Sequence, residues 1–528
     1  MQKLQHFLAK QSHKHVRSFI VCLIAILSLV RVFQMDGGNG FDPRSYDQLV
    51  KHRLWGPVVE EKIIIVDIDE RSLDKMRGEF GRWPWPRETL ASVLEWVNQQ
   101  GAQAVVFDIL FADPDTLNPA SDLAFVQAVS QSNNSYFPVL RLNPENDALS
   151  KIRANQVPGF ASAITDSHTS PAPTLALVLP NFEALTQSGR LGYHNIYADE
   201  DGVNRSYRLW EDKQGWRLWS LPGRLAKDLH WSLPIEAKQL IHYTRDKDAY
   251  TQVSFSDIWQ LSQSQKGLQK DVRFENAIVL VGSTATSLFD VKVTPVDTTH
   301  PGVMILANVI DNLKNHSFLH IASKWAQLLV AWLGLALVVW ASTQIREDHI
   351  KWAAAAAPAL FLAIGFASLH SGSNLYWDLS QSASNALLFF TVWGVYLNWR
   401  SKFLGRFVQD ASPPISPCDC TAVISVNFAD TDMQVVLDGL SSLEGVGSIV
   451  RIGATHQAPY TGIGLIHIAT MHHDENLHQK INALPFKPLN TFVNASHSDT
   501  LNCHQLWRRI WSDIHFAEQH WNFAHDKH

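Results

Sequence analysis

Apolar residues fall along this 528-residue chain in three patterns, and each predicts a different element. Short continuous runs bounded by polar residues predict buried strands: "EKIIIVDIDERSL" (Glu61–Leu73), "AQAVVFDILF" after Gly101, and "NAIVLVGSTAT" (Asn276–Thr286). Runs with helical spacing predict amphipathic helices. "PRETLASVLEWVNQQG" sets Leu90, Val93, Leu94 and Val97 on one face, with Pro86 near the first turn and Gly101 at the expected stop. "PGVMILANVIDNLKN" (Pro301–Asn315) turns Val303, Leu306, Ala307, Ile310 and Leu313 inward. The first strand, the helix after it and the second strand form a crossover unit, with parallel strands and a right-handed connection. Leu117–Pro173, rich in Ser, Asn, Ala and Pro, predicts loops and irregular helices.

The third pattern is long and apolar, interrupted by a charge only at Arg31, which could snorkel to the interface. Four stretches carry it: Ser18–Phe33, Trp325–Ser342, Trp352–Leu369 and Ala386–Trp399, the last extended upstream by small residues. A helix needs about 20 apolar residues to cross hydrocarbon. The expected spans are 18–34, 325–342, 352–370 and 382–399. A cleaved signal peptide is the competing reading of the first, but "RVFQMDGG" offers no small-x-small cleavage site, so an anchor is expected; an anchor or a signal peptide alike would export the next part of the chain. Lys3, Lys10, Lys14 and Arg17 precede the first span, Arg346 and Lys351 lie between the second and third, and Arg400, Lys402 and Arg406 follow the fourth. The loop "HSGSNLYWDLSQS" has no Lys or Arg. By the positive-inside rule, residues 1–17 and the C-terminal part face the cytoplasm, and 35–324 form an exported lobe. The expected location is a bacterial inner membrane, crossed several times.

Composition adds three points. A net charge of -6 without a basic face speaks against a nucleic-acid partner. The 19 tryptophans suit membrane interfaces as well as cores. Cys22, Cys418, Cys420 and Cys503 all lie outside the exported lobe, so no disulfide staples it.

The fold class expected is an α/β sensory domain with a mainly parallel sheet, four transmembrane helices and a small α+β C-terminal domain. Ligands of open parallel sheets sit beyond the carboxyl ends of the strands. That edge should gather Asp67, Asp69, Asp108 and the Gly282–Ser283 turn. "GRWPWPR" is expected to follow the first strand directly and emerge at the same edge. Trp83, Trp85 and Arg87 would then line a cleft, the rings giving area at low entropic cost and the guanidinium meeting an anion. The competing reading is a hydrophobic plug, with Arg87 paired to Asp67 or Asp108. Three aspartates offer oxygen ligands for Mg²⁺ or Ca²⁺. Lacking a further carboxylate, they read instead as caps of turns and helix starts, and no metal or cofactor is expected.

At these residues the chain resembles the second type of CHASE domain, an extracytoplasmic sensory module of receptors linked to cyclases and histidine kinases. The matching pieces are "YDQLVKHR", "IIIVDIDERSL", "GRWPWPRETLASVLEWVNQQGAQAVVFDILFADPD", "LGYHNIYADEDGVNRSYRLW", "IVLVGSTATSLFDVKVTPVD" and "HPGVMILANVIDNL", covering most of Asp47–Lys314 in the family's order. Asp290, Thr294 and Pro295 match its "D…TP" segment, and the three following spans repeat its usual architecture. The resemblance implies a periplasmic sensory domain and transfers no catalytic residue. Asp290 joins Asp67, Asp69, Trp83, Trp85, Arg87, Asp108 and Ser283 as a ligand-binding candidate.

Family members usually end in a cyclase or kinase. Here a linker, 400–420, leads to a domain at 421–528. "TAVISVNFADTD", "MQVVLDGLSSLEGVG", "SIVRIG" and "TGIGLIHIATMHHD" read as strand, helix, strand and strand, a ferredoxin-like order. "RSKFLGRFVQDASPPIS" and "VNFAD" resemble pieces of class III cyclases, but no second metal carboxylate follows at a suitable spacing, and no kinase signature is present. The histidines at 472, 473, 478, 497, 504, 515, 520, 525 and 528 stand beside Cys503 and "CDC" without regular zinc spacing. The expectation is an inner-membrane sensor that relays an unknown periplasmic ligand to a non-catalytic tail. Its partners would be that ligand, membrane lipid, a cytoplasmic signalling protein and a second copy in a homodimer. The alternatives are a membrane-bound class III cyclase with a degenerate catalytic domain, and an envelope scaffold.

Overall fold

The computed structural model describes residues 13–34, 43–53, 56–164, 172–244, 246, 248–264, 267, 269–344, 349–368, 374–409, 420–427, 438–440, 442–443, 446–452, 463–470, 477–484 and 490–494. The chain divides into two compact units: Phe41–Ala322 with Phe366–Asp378, and the remainder. The first is therefore discontinuous in sequence, and the expected boundary of 35–324 leaves its second piece out.

The larger unit is built on a seven-stranded sheet. Its strands are β1 (Ile63–Asp67), β2 (Ala104–Phe107), β3 (Ser135–Arg141), β4 (Leu177–Val178), β5 (Leu191–Tyr193), β6 (Thr251–Ser254) and β7 (Ile278–Gly282). They lie in the order β6-β1-β7-β2-β3, and β3 then pairs both β5 and β4. Every pairing is parallel except β3 with β4. The central strands are continuous apolar runs because both of their faces are covered. Ile64, Val66, Val105, Phe107, Val279 and Val281 share a core with helices α4 (Glu88–Gln99), α5 (Pro119–Gln131) and α7 (Phe255–Ser262). Their neighbours Ile63, Ile65, Ala104, Val106, Ile278 and Leu280 share a second core with α6 (Leu221–Asp228) and α8 (Gly302–Lys314). Each of the Val, Ile, Leu and Phe side chains among these, fully buried, contributes about 1.5–3 kcal/mol. In α8 every residue from Gly302 to Leu313 is buried, the polar Asn308, Asp311 and Asn312 included, so the helix is enclosed around its whole girth.

Two expectations need correction. The Trp/Pro loop does not follow β1 directly, because helix α3 (Glu70–Phe80) intervenes. Its face is mostly polar, with only Ser72 and Met76 buried, and so it left no apolar stripe to read. Leu117–Pro173 contains the irregular helices expected, at Pro144–Leu149 and Ala154–Gln156, but also the regular helix α5 and the seven-residue strand β3.

The other unit contains helices α1 (His13–Gln34), α9 (Lys324–Gln344), α10 (Ile350–Ser368) and α11 (Ser380–Gln409), α10 passing into the larger unit in its last turn. They share a core that includes Ile20, Ile24, Leu335, Val338, Ile350, Phe389, Phe390 and Trp393. The Ser28 hydroxyl donates to Asn385 Oδ1 at 3.0 Å and Gln381 Nε2 donates to the Ser28 carbonyl at 2.9 Å, so α1 and α11 are joined by buried polar bonds. Two of the helices, Lys324–Gln344 and Ile350–Ala367, are long and apolar enough to cross a membrane by length and composition. Helix α11 continues to Gln409, so the expected linker at 400–420 begins inside a helix.

The C-terminal residues form a four-stranded antiparallel sheet of Cys420–Asn427, Val446–Ile452, Ile463–Thr470 and Asn490–Asn494, with helix Leu477–Asn482 before the last strand. Numbered along the chain, its order is second, third, first, fourth. Asp430, Cys418, Cys503 and the histidines at 472, 473, 497, 504, 515, 520, 525 and 528 lie outside the described residues.

Candidate functional site

The carboxyl ends of β1, β7 and β2 are adjacent. Asp67 ends β1 in register with Gly282, the Ile68 N–H donates to the Gly282 carbonyl at 2.8 Å, and the Asp108 N–H donates to the Val281 carbonyl at 2.8 Å. Asp67, Asp69, Asp108 and Ser283 therefore come to one edge. A β-carbon on Gly282 would lie 2.7 Å from Val303 Cγ2 and 3.2 Å from Asp108 Cβ. Glycine there lets α8 close onto the strands.

Each carboxylate has a defined partner. Asp67 accepts from the Thr284 N–H at 2.8 Å and from the Thr284 hydroxyl, which ties β1 to the turn after β7. Ser283 reinforces the tie by donating to the Ile68 carbonyl at 2.7 Å. Asp69 caps α3, accepting from the Ser72 N–H at 2.7 Å and from the Ser254 hydroxyl at 3.0 Å. Asp108 Oδ1 lies 3.2 Å from His194 Nδ1. His194 follows β5 directly and was missed in the sequence; its one signal is its place after the short apolar run "LGY". The side chain of His194 keeps 23% of its exposure while that of Asp108 keeps 8%, so solvent reaches the pair from the imidazole side. Among the described residues, no group of three or more His, Cys, Asp or Glu side chains is arranged to hold a metal ion.

Burial pushes the Asp67 carboxyl above its ordinary pKa, and the two Thr284 bonds oppose this only in part. A raised folded-state value favours the neutral form. The contribution of Asp67 is then full below the ordinary carboxylate pKa of about 3.9 and is lost as pH rises through the folded value. Asp67→Asn, which is neutral throughout, is expected to gain on the wild type as pH rises above about 4 in urea unfolding. A gap that stays constant with pH would reject this account.

The Trp/Pro loop is packed inward. Trp85 retains 3% exposure and lies against Phe255 (5.4 Å between ring centroids) and edge-on to Trp83 (5.0 Å). The Trp83–Pro84 peptide is cis. Arg87 Nη1 donates to Asp122 at 2.7 Å, Nη2 donates to the Asp113 carbonyl, and the guanidinium stacks over Phe182 at 5.2 Å. Its carboxylate partner is thus Asp122 of α5, not Asp67 or Asp108. An anion reaching Arg87 would have to displace Asp122. Trp85→Ala is accordingly expected to cost about 3–5 kcal/mol, as large-to-small core changes do. Thermal unfolding of the full chain measures this, and a loss below about 1 kcal/mol would show the ring to be dispensable to the core.

Asp290 has a different setting. Its carbonyl accepts from the Gly302 N–H at 3.0 Å, and its half-exposed carboxylate meets Lys292 at 3.1 Å. A β-carbon on Gly302 would lie 2.4 Å from Asp290 Oδ2, so the start of α8 is fitted around this side chain. In the same segment, the N–H and hydroxyl of Thr294 both donate to the Asp297 carbonyl.

A second charged group escaped the sequence reading. Arg205 is buried, at 1% exposure, and faces three carboxylates. Asp47 of helix α2 (Pro43–His52) takes it in two bonds of 2.7 and 2.6 Å, Asp201 in two of 2.8 and 2.6 Å, and Asp199 in one of 3.3 Å. Burial alone would lower the guanidinium pKa, but the bonds to Asp201 and Asp47 outweigh it and raise it. The residue is charged at every accessible pH, so the cluster is a fixed clamp.

No curated protein and no solved structure matches the chain. A family model for the CHASE2 domain matches residues 19–343, a range that takes in most of α1 and α9 as well as the whole sheet. With well over half of its length inside that match, the chain belongs to the CHASE2 domain family of extracytoplasmic sensors.

Proposed function

We propose that this protein is a membrane-anchored receptor of a bacterial inner membrane. Its sheet-bearing unit detects a periplasmic ligand, helices α1, α9, α10 and α11 cross the bilayer, and the C-terminal domain answers by contacting a cytoplasmic partner. One observation carries the reading. The four helices already share an apolar core, yet their outward faces are apolar too: Phe19 is 69% exposed, Leu333 61%, Leu360 60% and Val395 65%. Helices apolar on every side need a solvent of hydrocarbon. Basic residues in the short segments at one end of these helices favour the N- and C-termini inside.

The ligand face assigned is the carboxyl edge around Asp108 and His194, because the other candidates there are engaged in caps and core packing. A ligand acts by binding two states of this unit with different affinity. Topology is the direct test. An export-dependent reporter fused after Gly202 is expected to be active, and a cytosol-dependent one after Gln409 likewise. A cytosolic location for Gly202 would overturn the reading.

A further inference from the structure

The receptor reading leaves open how four helices would respond together, and the larger unit contains a feature that bears on it. Four chain segments adjoining the four long helices belong to that unit and meet in one apolar cluster. Helix α2 follows α1 and buries Tyr46, Leu49 and Val50. Leu319 and the strand β8 (His320–Ile321) lead into α9. Phe366 lies in the last turn of α10, and the strand β9 (Leu375–Tyr376) leads into α11. Strands β8 and β9 pair in parallel, with His320 N–H donating to the Asn374 carbonyl at 2.7 Å and Ala322 N–H to the Tyr376 carbonyl at 3.1 Å. Two residues a side cannot hold such a pairing alone. The rings supply the rest: Tyr46 meets Tyr376 edge-on at 5.4 Å and 87°.

The cluster is also tied to the body of the unit. The Tyr46 hydroxyl donates to the Ile241 carbonyl at 3.3 Å, and the Leu319 N–H to the Leu240 carbonyl at 3.1 Å. The neighbouring Asp47 is held by Arg205, whose other carboxylates, Asp199 and Asp201, stand in the segment that leaves β5 through His194. Packed and hydrogen-bonded segments of this kind move as a unit.

We propose that this cluster is the coupling joint of the receptor. It makes the segment between α10 and α11 a working part of the sensory unit, although that segment lies beyond the family match, which ends at residue 343. A displacement of the unit then enters α11, the helix that runs on to Gln409 ahead of the C-terminal domain, as directly as it enters α1 and α9. The proposal rests on the receptor reading for its meaning, but its physical content is separate: the backbone segments 43–52, 319–322 and 374–376 protect one another.

Hydrogen exchange on the full chain in lipid nanodiscs tests it. Tyr46→Ala and Tyr376→Ala are each expected to speed exchange about tenfold in all of 43–52, 319–322 and 374–376, with the double variant no faster than either single one. Unchanged protection of His320 and Ala322 in Tyr46→Ala would overturn the proposal. Central strands 63–67 and 278–282 report whether the fold survives. Should an alanine variant loosen those as well, Tyr46→Leu and Tyr376→Leu, which keep apolar volume and lose the edge contact, are read by the same criterion. Labelling of Asn374→Cys by a membrane-impermeant maleimide separates the two ideas. Labelling from the cytoplasmic side alone, with exchange still coupled, rejects the receptor topology and with it the joint's role in relay. Labelling from outside with uncoupled exchange rejects the joint alone.

Discussion

Arg205→Ala is expected to lower the stability of the sheet-bearing unit by about 3 kcal/mol, since removing one partner of a buried ion cluster strands the others. The side chain is almost wholly buried, and every one of its bonds runs to a carboxylate. Without it, Asp47 and Asp201 lose the cation they share, and Asp199 keeps only the exposed Lys238, at 3.2 Å. Their partial exposure, at 24%, 25% and 49%, lets water screen the repulsion, which places the loss at the lower end of the range for buried pairs. A domain of this size loses roughly 2–4 °C of melting temperature per kcal/mol, so thermal unfolding of the full chain should show a drop of about 6–12 °C. Arg205→Lys should recover only part of it, because an ammonium cannot serve two carboxylates with paired bonds. Asp47→Ala in the Arg205→Ala background should add little. A drop under about 2 °C would mean that solvent, not Arg205, balances the three acids.

Arg141→Ala is expected to cost more, about 3–5 kcal/mol. This guanidinium is fully buried at the end of β3 and holds Asp147 by two bonds of 2.6 and 2.7 Å, with the Ala176 carbonyl accepting a third at 3.1 Å. Asp147 in turn accepts from the Ala176 N–H at 2.6 Å and from Lys213. Removing Arg141 leaves a buried carboxylate with Lys213 as its remaining charged donor. The pair also sets a pH dependence. Burial pushes Asp147 up, but the bonds from Arg141, Lys213 and Ala176 outweigh it and hold its pKa down to about 2. The folded value lies below the unfolded one, near 3.9, so the stabilisation is complete above about pH 4 and is lost as pH falls towards 2. Urea unfolding of Asp147→Asn should show a flatter slope across that window than the wild type. An identical slope would remove Asp147 from the acid sensitivity.

Parts of this architecture were legible in the sequence for one physical reason. A strand covered on both faces must be apolar at every position, and β1, β2 and β7 announce themselves that way. Helices α4 and α8 were legible because burial fixes their spacing. Where less surface is buried the signal fades. Helix α3 buries little, and its one mark is the Asp69 cap followed by Glu70. Strand β3 carries Pro138 in its middle, a residue that argues against an inner strand, yet it pairs there with Gly192 of β5. At the candidate site, placing Asp67, Asp108 and Ser283 needed only strand ends. Finding Asp122 as the partner of Arg87 required helix α5, which the pattern did not reveal. The Arg205 clamp joins residues 158 positions apart, and no local window contains both.

The place of β7 between β1 and β2 bears on how the molecule comes into being. During synthesis the first two strands of the sheet exist long before the one that separates them. β2 can pair with β3, and β1 with β6, before Ile278–Gly282 has been made, but pairing β1 with β2 in the meantime would shut the later strand out. A nascent chain must therefore keep that gap between β1 and β2 open until Gly282 has left the ribosome.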